Sequence, residues 1–310
     1  MVIRQLFEDQ EAALLSPWAS FSKDAVRDRE EEKCDVRTDY QRDRDRIVHS
    51  KAFRRMKDKT QVFLAAEGDH YRNRLTHTLE VAQLSRTIAK ALRLNEELTE
   101  AIGYGHDLGH TPFGHSGEDA LDQALQELGT GFRFRHNVQS IRVVERLEKG
   151  GRGLNLTAAV RDGILNHGTS GSPSTLEGKI VRLCDKIAYI NHDIDDAIRG
   201  RVLTEQDLPE AYTEVLGHSV RERLNYLIHD IIIHSQGRDQ IVQSEEAAAA
   251  MLGLRSFMFR EVYRSKIVKA EESKAKQLLK NLFSFYMDKW EMLPEEYARR
   301  IAGSEEPKEL

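Results

Sequence analysis

Apolar residues recur at steps of three and four over long stretches of this sequence, which is the spacing of one face of an α-helix. The clearest stripes consist of Leu75, Leu79, Ala82, Ile88, Ala91 and Leu92; of Leu176, Ile180, Leu183, Ile187, Ile190 and Ile194; and of Leu224, Leu227, Ile228 and Ile231. No alternating pattern of useful length indicates a strand, and the chain has only 6 prolines. We therefore predict an all-α fold.

The chain divides by composition into three segments. Residues 1–36 are polar and rich in charge, and we expect an arm that packs on the body or on a neighbouring subunit. Residues 37–205 contain the first two stripes and are predicted to form the core. Residues 206–310 are predicted to add a further helical region.

Charge and cysteine content narrow the location and the partners. The formal net charge is -5, so no global basic field attracts nucleic acid or a membrane. Cys34 and Cys184 are too few for a disulfide framework, which is typical of a reducing compartment. The N-terminus has no apolar signal-peptide core, and no apolar run approaches the roughly 18 residues that span a bilayer. We expect a cytoplasmic protein with no membrane partner.

The densest chemical signal lies in residues 106–118, where three His, one Asp and one Glu fall within 13 residues. Imidazole and carboxylate together suit Mn, Fe, Co, Ni or Zn, and carboxylate also suits Mg. Adjacent His106 and Asp107 point in different directions on a helix, so a shared ion requires a helix end there. The alternative is a set of polar helix-end side chains with satisfied hydrogen bonds, which is the less economical interpretation of so dense a group.

Two further ligands are expected from the two long helices. His77 stands at the head of the first helix, and Asp185 lies inside the second. Each taken singly is as well explained by a cap or an ion pair, but the ordered set on three helices favours a metal site. Asp185, Tyr189 and Asp193 follow one another at four-residue steps, so they share one helix face that we expect to border a buried site.

The order His77, His106-Asp107, Asp185 resembles the HD superfamily of metal phosphohydrolases, and more closely its dGTP triphosphohydrolase-like dNTPases. The resemblance rests on segments 37–55, 59–63, 74–81 and 105–115. It implies an HD-domain helical bundle over 37–205, with additional C-terminal helices that complete a nucleotide site. It also implies hydrolysis of a dNTP, dGTP or a broader range, to deoxynucleoside and triphosphate.

The resemblance further implies a role for individual residues. Its metal ligands match His77, His106, Asp107 and Asp185, and its catalytic pair matches His115 and Glu118. Its contacts to the phosphates, the sugar and the 3′-hydroxyl match Arg74, His110, Lys186, Tyr189 and Asp193, and a weaker match gives Arg255, Tyr263 and Lys266. Lys57 stands where many longer relatives have a sugar-contacting Gln, which leaves the sugar and base selectivity open.

Two other functions compete with this interpretation. One is an HD nucleotidase or phosphodiesterase acting on other nucleotides, against which the supply of Arg and Lys argues. The other is a non-catalytic nucleotide sensor or nucleic-acid scaffold, against which His115 and Glu118 argue. The resemblance implies a homo-oligomer, a tetramer or hexamer. The basic runs at 42–59 and 255–280 are the candidate surfaces for a nucleotide or single-stranded DNA effector.

Overall fold

A computed structural model describes residues 2–61, 72–129, 131–263 and 266–303, without the side chains of 266–270. Within these ranges the chain is all-α, as predicted, and its only β-type pairings are two isolated bridges, Arg27 with Thr157 and Thr60 with Asn73. The helices are α1 (Ile3–Leu14), α2 (Asp39–Val48), α3 (Lys51–Arg55), α4 (Arg74–Ala91), α5 (Glu96–Gly105), α6 (Gly114–Glu127), α7 (His136–Arg142), α8 (Ala158–Asn166), α9 (Leu176–Arg199), α10 (Glu210–Leu216), α11 (Val220–Ser235), α12 (Glu245–Glu261), α13 (Lys266–Asp288) and α14 (Glu295–Ala302).

The centre of the molecule is α9, a helix of 24 residues that packs against α4, α5, α8, α11 and α12. Its predicted apolar stripe is buried at Ile180, Ile187, Ile190 and Ile194, while Leu183 is only partly buried. Thr175 caps the helix by accepting a hydrogen bond from the backbone N–H of Gly178 at 3.1 Å. Because α9 has neighbours along most of its length, its polar residues face either the site or the core.

The predicted apolar face of α4 is wrong in part. Leu79 is 45% exposed, whereas Val81, Leu84 and Ile88 are buried. The reason is that α4 packs on both α5 and α9, so its buried face is wider than one stripe and is rotated away from Leu79. The rotation also buries His77, which turns toward α9.

The N-terminal arm packs on its own chain. Ser20 donates through its backbone N–H to the Glu177 carboxylate at 2.9 Å. Arg27 forms ion pairs with Asp39 at 3.1 Å and with Asp43 at 2.5 Å. These contacts join residues 16–27 to α2 and α9. In this structure the arm therefore packs on the body of its own chain, which is the first of the two expected arrangements.

The C-terminal helices complete one side of the site. Helix α12 packs on α9 and α10, and α13 packs along α6. Tyr263 follows α12 and lies against the core. No helix in the described part of the chain is long and apolar enough to cross a membrane.

Candidate functional site

A cavity of about 840 Å³ opens between α4, α6, α9 and α12. This volume falls within the range of roughly 300 to 1,000 Å³ that is usual for small-molecule sites. Its wall includes most of the residues that the sequence singles out, namely Arg74, His77, Asp107, His110, His115, Asp185, Lys186, Tyr189, Arg255 and Tyr263. Residues far apart in the sequence therefore meet in one place.

The four predicted metal ligands lie together: His77, Asp107 and Asp185 line the cavity, and His106 is buried behind them. His77 Nε2 lies 3.1 Å from Asp185 Oδ1, and His106 Nε2 lies 3.7 Å from both Asp185 Oδ1 and Asp107 Oδ2. Helix α5 ends at Gly105, so the chain turns where His106 and Asp107 must point the same way. The predicted helix end is present, and it lets two adjacent side chains face one point.

The donor set fits a divalent metal ion. The ligand atoms of His77, His106 and Asp107 lie within 4.8 Å of one another. His106 Nδ1 donates to the Gly103 carbonyl at 2.7 Å, while its buried Nε2 has no hydrogen-bond partner. A buried imidazole nitrogen without a partner is costly unless a ligand takes its lone pair. Two imidazoles and carboxylates at this spacing are the ligands that divalent transition metals and Mg²⁺ share.

Both carboxylates in this group remain ionised at neutral pH. Burial by itself raises the pKa of Asp107, but the Arg74 guanidinium at 2.5 Å and the surrounding histidines outweigh burial and hold that pKa well below its ordinary value. For Asp185, burial is again outweighed, here by the hydrogen bond from His77 and by His106, and the pKa is lowered. Ionised carboxylates are the form that binds a cation.

A buried histidine behind His77 was not predicted. His192 Nδ1 lies 3.3 Å from His77 Nδ1, and the far side of the His192 ring contacts the Glu80 carboxylate. This chain of polar contacts fixes the orientation of the His77 ring, as outer partners of metal-binding histidines generally do. The signal was present in the sequence, because His192 follows Asp185 by seven residues, about two turns of α9.

His115 and Glu118 lie at the first turn of α6, with His115 Nδ1 3.4 Å from Glu118 Oε2. The His115 side chain is 65% exposed on the cavity wall, and that of Glu118 is 18% exposed. Glu118 also accepts from the backbone N–H of His136 at 2.8 Å and from His136 Nδ1 at 3.0 Å. Burial raises the pKa of Glu118, but the hydrogen bonds from His115 and His136 lower it far more. Glu118 therefore orients two histidines, not one.

His136 and His167 are the largest omissions of the sequence interpretation. They face each other through Nε2 atoms at 3.2 Å, and both line the cavity. The His136 ring stacks on that of His110 at 4.7 Å, and the His167 ring lies 5.1 Å from that of His106. Each stands alone in the sequence at the end of a helix, where a single histidine carries no pattern. Only His167 has a positional signal: like His106, it directly follows a helix.

Two tyrosines and an aspartate form the side of the cavity near α12. The Tyr263 hydroxyl donates to Asp193 Oδ2, and its ring lies 6.1 Å from that of Tyr189. The Tyr189 ring also lies 6.3 Å from that of His115. Asp193 is buried and is not part of the cavity wall, and burial raises its pKa to about 8. The structure thus places Tyr263, and not Asp193, in the wall of the cavity.

The basic residues of the site are unevenly placed. Arg74 is buried beside Asp107, whereas Lys186 is partly buried and Arg255 is exposed along the rim. His110 is buried, and burial together with Arg74 holds its pKa well below the ordinary value. The wall further includes Arg260 and Lys276, which the sequence interpretation did not select.

Lys57, like Asp193, does not reach this wall. Lys57 is exposed outside the cavity, whereas Gln61, four residues further along the chain, lies in the wall. The side chain of Lys266 lies outside the described residues, as do positions 62–63 of the second family segment.

The turn that carries His106 and Asp107 is clamped to α7. Ser140 on α7 accepts from the Gly109 backbone N–H at 2.9 Å and donates to the His106 carbonyl at 2.8 Å. A Cβ on Gly109 would lie 2.1 Å from the Ser140 backbone nitrogen, so only glycine allows this approach. From the other side, Lys59 Nζ donates to the His110 carbonyl at 2.5 Å. The turn is held rigidly, and His136 is held with it, one turn before Ser140.

Comparisons with known proteins match this arrangement. An HD domain matches residues 74–190, and a phosphohydrolase-associated domain matches residues 241–309. A deoxyguanosinetriphosphate triphosphohydrolase-like protein from Caldanaerobacter subterraneus subsp. tengcongensis is 57% identical over 300 residues, which cover 96% of this chain and 87% of that one. Proteins of the same name from Desulfatibacillum aliphaticivorans and Clostridium perfringens are 49% and 47% identical, covering 93% and 98% of this chain and 85% and 90% of theirs.

One solved structure shares the fold. A hypothetical protein from Aquifex aeolicus superimposes with a TM-score of 0.52 at 21% identity, over 86% of this chain and 69% of that one. The helical architecture is therefore not particular to this sequence.

Proposed function

Because the chain belongs to the family of deoxyguanosinetriphosphate triphosphohydrolase-like proteins, we propose that it hydrolyses deoxynucleoside triphosphates to deoxynucleoside and triphosphate. The observation that carries the proposal is the shared cavity: a His/Asp group that fits a divalent ion and a series of basic side chains line the same 840 Å³. A triphosphate carries more negative charge than a monophosphate or a cyclic phosphodiester, and the cavity offers Arg74, Lys186, Arg255, Arg260 and Lys276.

The ion would be held by His77, His106, Asp107 and Asp185, and when bound it polarises a phosphoryl oxygen and lowers the pKa of a water. Mn, Mg, Fe, Co, Ni and Zn all remain compatible with these ligands. Arg74 already pairs with Asp107, so its guanidinium is oriented before substrate arrives, and a phosphate oxygen can share it.

His115 is the proposed proton-transfer group. Water attacks the α-phosphorus, the bond from phosphorus to the 5′-oxygen breaks, and that oxygen takes up a proton as the deoxynucleoside leaves. His115 Nδ1 is held by Glu118, so Nε2 is the nitrogen that exchanges the proton with the reacting groups. The rings of His110 and His136 stack on each other beside His115, and they narrow the space around the reacting phosphate.

The sugar would lie against Tyr189 and Tyr263. The Tyr189 ring packs beside His115, so a sugar next to the reacting phosphate meets this ring and has little room for a 2′-hydroxyl. We propose that Asp193 acts here through Tyr263, whose hydroxyl it holds, since its own carboxylate does not line the cavity.

The decisive experiment is product analysis. Purified protein is incubated with each dNTP and NTP in Mn²⁺ or Mg²⁺, and the products are separated by anion exchange. We expect deoxynucleoside and intact triphosphate. Stepwise release of orthophosphate, or turnover of monophosphates or cyclic nucleotides instead, would support a nucleotidase or phosphodiesterase. Tight nucleotide binding without any product would support a sensor. When variants of the site are compared in this assay, His229→Gln, a substitution on the exposed face of α11, is the matched control.

Several expectations stay predictions at this stage. They are the boundaries at 36/37 and 205/206, assembly into a tetramer or hexamer, a nucleotide or single-stranded DNA effector, and a cytoplasmic location. Exposed apolar side chains on α12 and α13, such as Leu252, Phe259, Leu278 and Leu282, support assembly, because such residues are commonly covered by a partner subunit. Size-exclusion chromatography with light scattering tests it.

A further inference from the structure

Four polar side chains pair crosswise between α4 and α9 beside the candidate metal site. Helix α4 supplies His77 and Glu80, three residues apart, and α9 supplies Asp185 and His192, seven residues apart. His77 Nε2 faces Asp185 at 3.1 Å, while His77 Nδ1 faces His192 Nδ1 at 3.3 Å. The other nitrogen of His192, Nε2, contacts the Glu80 carboxylate. We call Glu80, His192 and His77 the α4–α9 bridge.

We propose that Glu80 and His192 are positioning residues that fix the tautomer of His77, so that its Nε2 lone pair is directed at the divalent ion before the ion binds. Neither Glu80 nor His192 lines the cavity, so both act through His77 and not on the ion or the substrate. The inference rests on the metal site proposed above and does not depend on which nucleotide is hydrolysed.

The positions of the protons follow from the charge of Glu80. An ionised carboxylate only accepts hydrogen bonds, so His192 Nε2 carries the N–H that faces Glu80. A neutral imidazole has a single N–H, so His192 Nδ1 is then an acceptor. The two Nδ1 atoms share a hydrogen bond, and its proton therefore belongs to His77. With this proton on Nδ1, His77 has a lone pair on Nε2.

The other tautomer of His77 is disfavoured by the same carboxylate. It would carry its proton on Nε2, where Asp185 could accept it. His77 Nδ1 would then be an acceptor, and a neutral His192 would have to direct its only proton toward it. A bare lone pair of His192 Nε2 would be left against the negative charge of Glu80, although His192 is only 2% exposed. Such a contact is costly in a buried place.

Arg72 holds Glu80 in place. Arg72 lies 3.5 Å from the Glu80 carboxylate and pairs with Asp195 at 2.7 Å and with Asp196 at 3.1 Å, both on α9. Burial raises the pKa of Glu80, but the hydrogen bond from His192 and the charge of Arg72 outweigh burial and lower it. The carboxylate is therefore ionised at neutral pH and is anchored to the helix that also carries His192.

Two substitutions of His192 distinguish control of the tautomer from packing. The side-chain oxygen of Asn stands near the position of the His Nδ1 atom, so His192→Asn keeps an acceptor for the N–H of His77. His192→Leu fills more of the ring volume but offers no acceptor. The full chain is stripped of metal and titrated with Mn²⁺, and free Mn²⁺ is followed by electron paramagnetic resonance.

We expect Mn²⁺ affinity to fall on the order of 10- to 100-fold in His192→Leu, the usual effect of losing a partner of a metal-binding histidine, and to fall less in His192→Asn. A role in packing alone predicts the opposite order, because Leu fills the space better than Asn. The matched control is His229→Leu, at an exposed histidine of α11 whose Nδ1 donates to the Asn225 carbonyl, and it should bind Mn²⁺ as the natural protein does.

Glu80→Gln tests whether Glu80 acts through His192. An amide donates as well as accepts, so either tautomer of His192 would be satisfied and the selection would be lost. We expect weaker Mn²⁺ binding in Glu80→Gln, and a double variant with His192→Leu that binds no more weakly than His192→Leu alone. Additive losses would show that Glu80 acts independently of His192.

Neutron diffraction of the natural protein, stripped of metal, locates the protons without relying on any variant. We expect deuterium on His77 Nδ1 and on His192 Nε2. Deuterium on His77 Nε2, or on both nitrogens of His192, overturns the proposal. Unchanged Mn²⁺ affinity in His192→Leu also overturns it and leaves the metal site intact. Failure of the natural protein to bind Mn²⁺ overturns the metal site and the proposal with it.

Discussion

His115 and Glu118 differ in the hydrogen bonds that they make to the rest of the fold, so substitutions at the two positions can separate catalysis from stability. His115 is 65% exposed and has one hydrogen bond, to Glu118. His115→Ala should therefore change the free energy of unfolding by no more than about 0.5 kcal/mol, the usual effect of a surface substitution. Turnover should nevertheless fall on the order of 10²-fold or more, the scale of general acid–base help.

Glu118→Gln should reduce both turnover and the stability of the fold. Glu118 accepts from the backbone N–H of His136, from His136 Nδ1 and from His115 Nδ1. The amide group of Gln would direct an N–H at one of these donors, so at least one hydrogen bond to a charged group is lost, at a cost of about 1.5 to 3 kcal/mol. Since each kcal/mol changes Tm by about 2 to 4 °C in chains of this order of size, we expect Tm to fall by about 3 to 12 °C.

The assay combines turnover, Tm, metal content and dNTP affinity for His115→Ala, Glu118→Gln and the double variant. The double variant should turn over little more slowly than the worse single variant, because the two residues act as a unit. A His115→Ala protein that is stable, metal-replete and fully active would refute the role of His115. If both variants instead lost metal, Tm and activity together, both residues would only brace the turn.

Three further predictions follow from the site. Asp107→Ala should abolish both bound metal and activity, and full metal content by elemental analysis would contradict the ligand assignment. Tyr189→Ala should relax a strong preference for deoxy over ribo triphosphates, and equal turnover of GTP and dGTP by the natural protein would count against this role. Burial raises the pKa of Asp193 from 3.8 to about 8, so the folded protein binds the proton more tightly than the unfolded chain and the stability contribution is full below about pH 4 and lost as pH rises through about 8. Asp193→Asn should remove this loss, giving a flatter Tm between about pH 5 and 9, and parallel curves for the two proteins would exclude it.

The grouping of the four candidate metal ligands could be predicted from the sequence because their types, order and helix positions reinforce one another. Gly105 at the end of α5 and the adjacent His106 and Asp107 allow only a few geometries, and the structure shows one of them. The stripe on α9 was equally predictable, since a helix with neighbours along most of its length has a periodic apolar pattern.

What could not be predicted depends on contacts between distant segments. His136 and His167 lie 31 residues apart and meet only because α7 packs on α8. Leu79 is exposed because α4 has two neighbours, which no single-helix pattern reveals. Lys57 and Asp193 have suitable side chains, but neither lines the cavity: Lys57 is exposed outside it, and Asp193 is buried against the Tyr263 hydroxyl.

Helix α13 contributes Glu272 and Lys276 to one wall of the cavity, and its ion pairs to α6 lie near the surface. Ala275 and Leu279 are buried on it, and its charged contacts to α6 are Lys276 with Asp119 at 3.0 Å and Lys280 with Glu127 at 2.7 Å. Exposed pairs of this type contribute roughly 0 to 1 kcal/mol and are screened by salt. A rise in ionic strength therefore has two effects at this site: it slows the arrival of a polyanionic substrate at the basic rim, and it weakens the ion pairs between the α13 wall and α6.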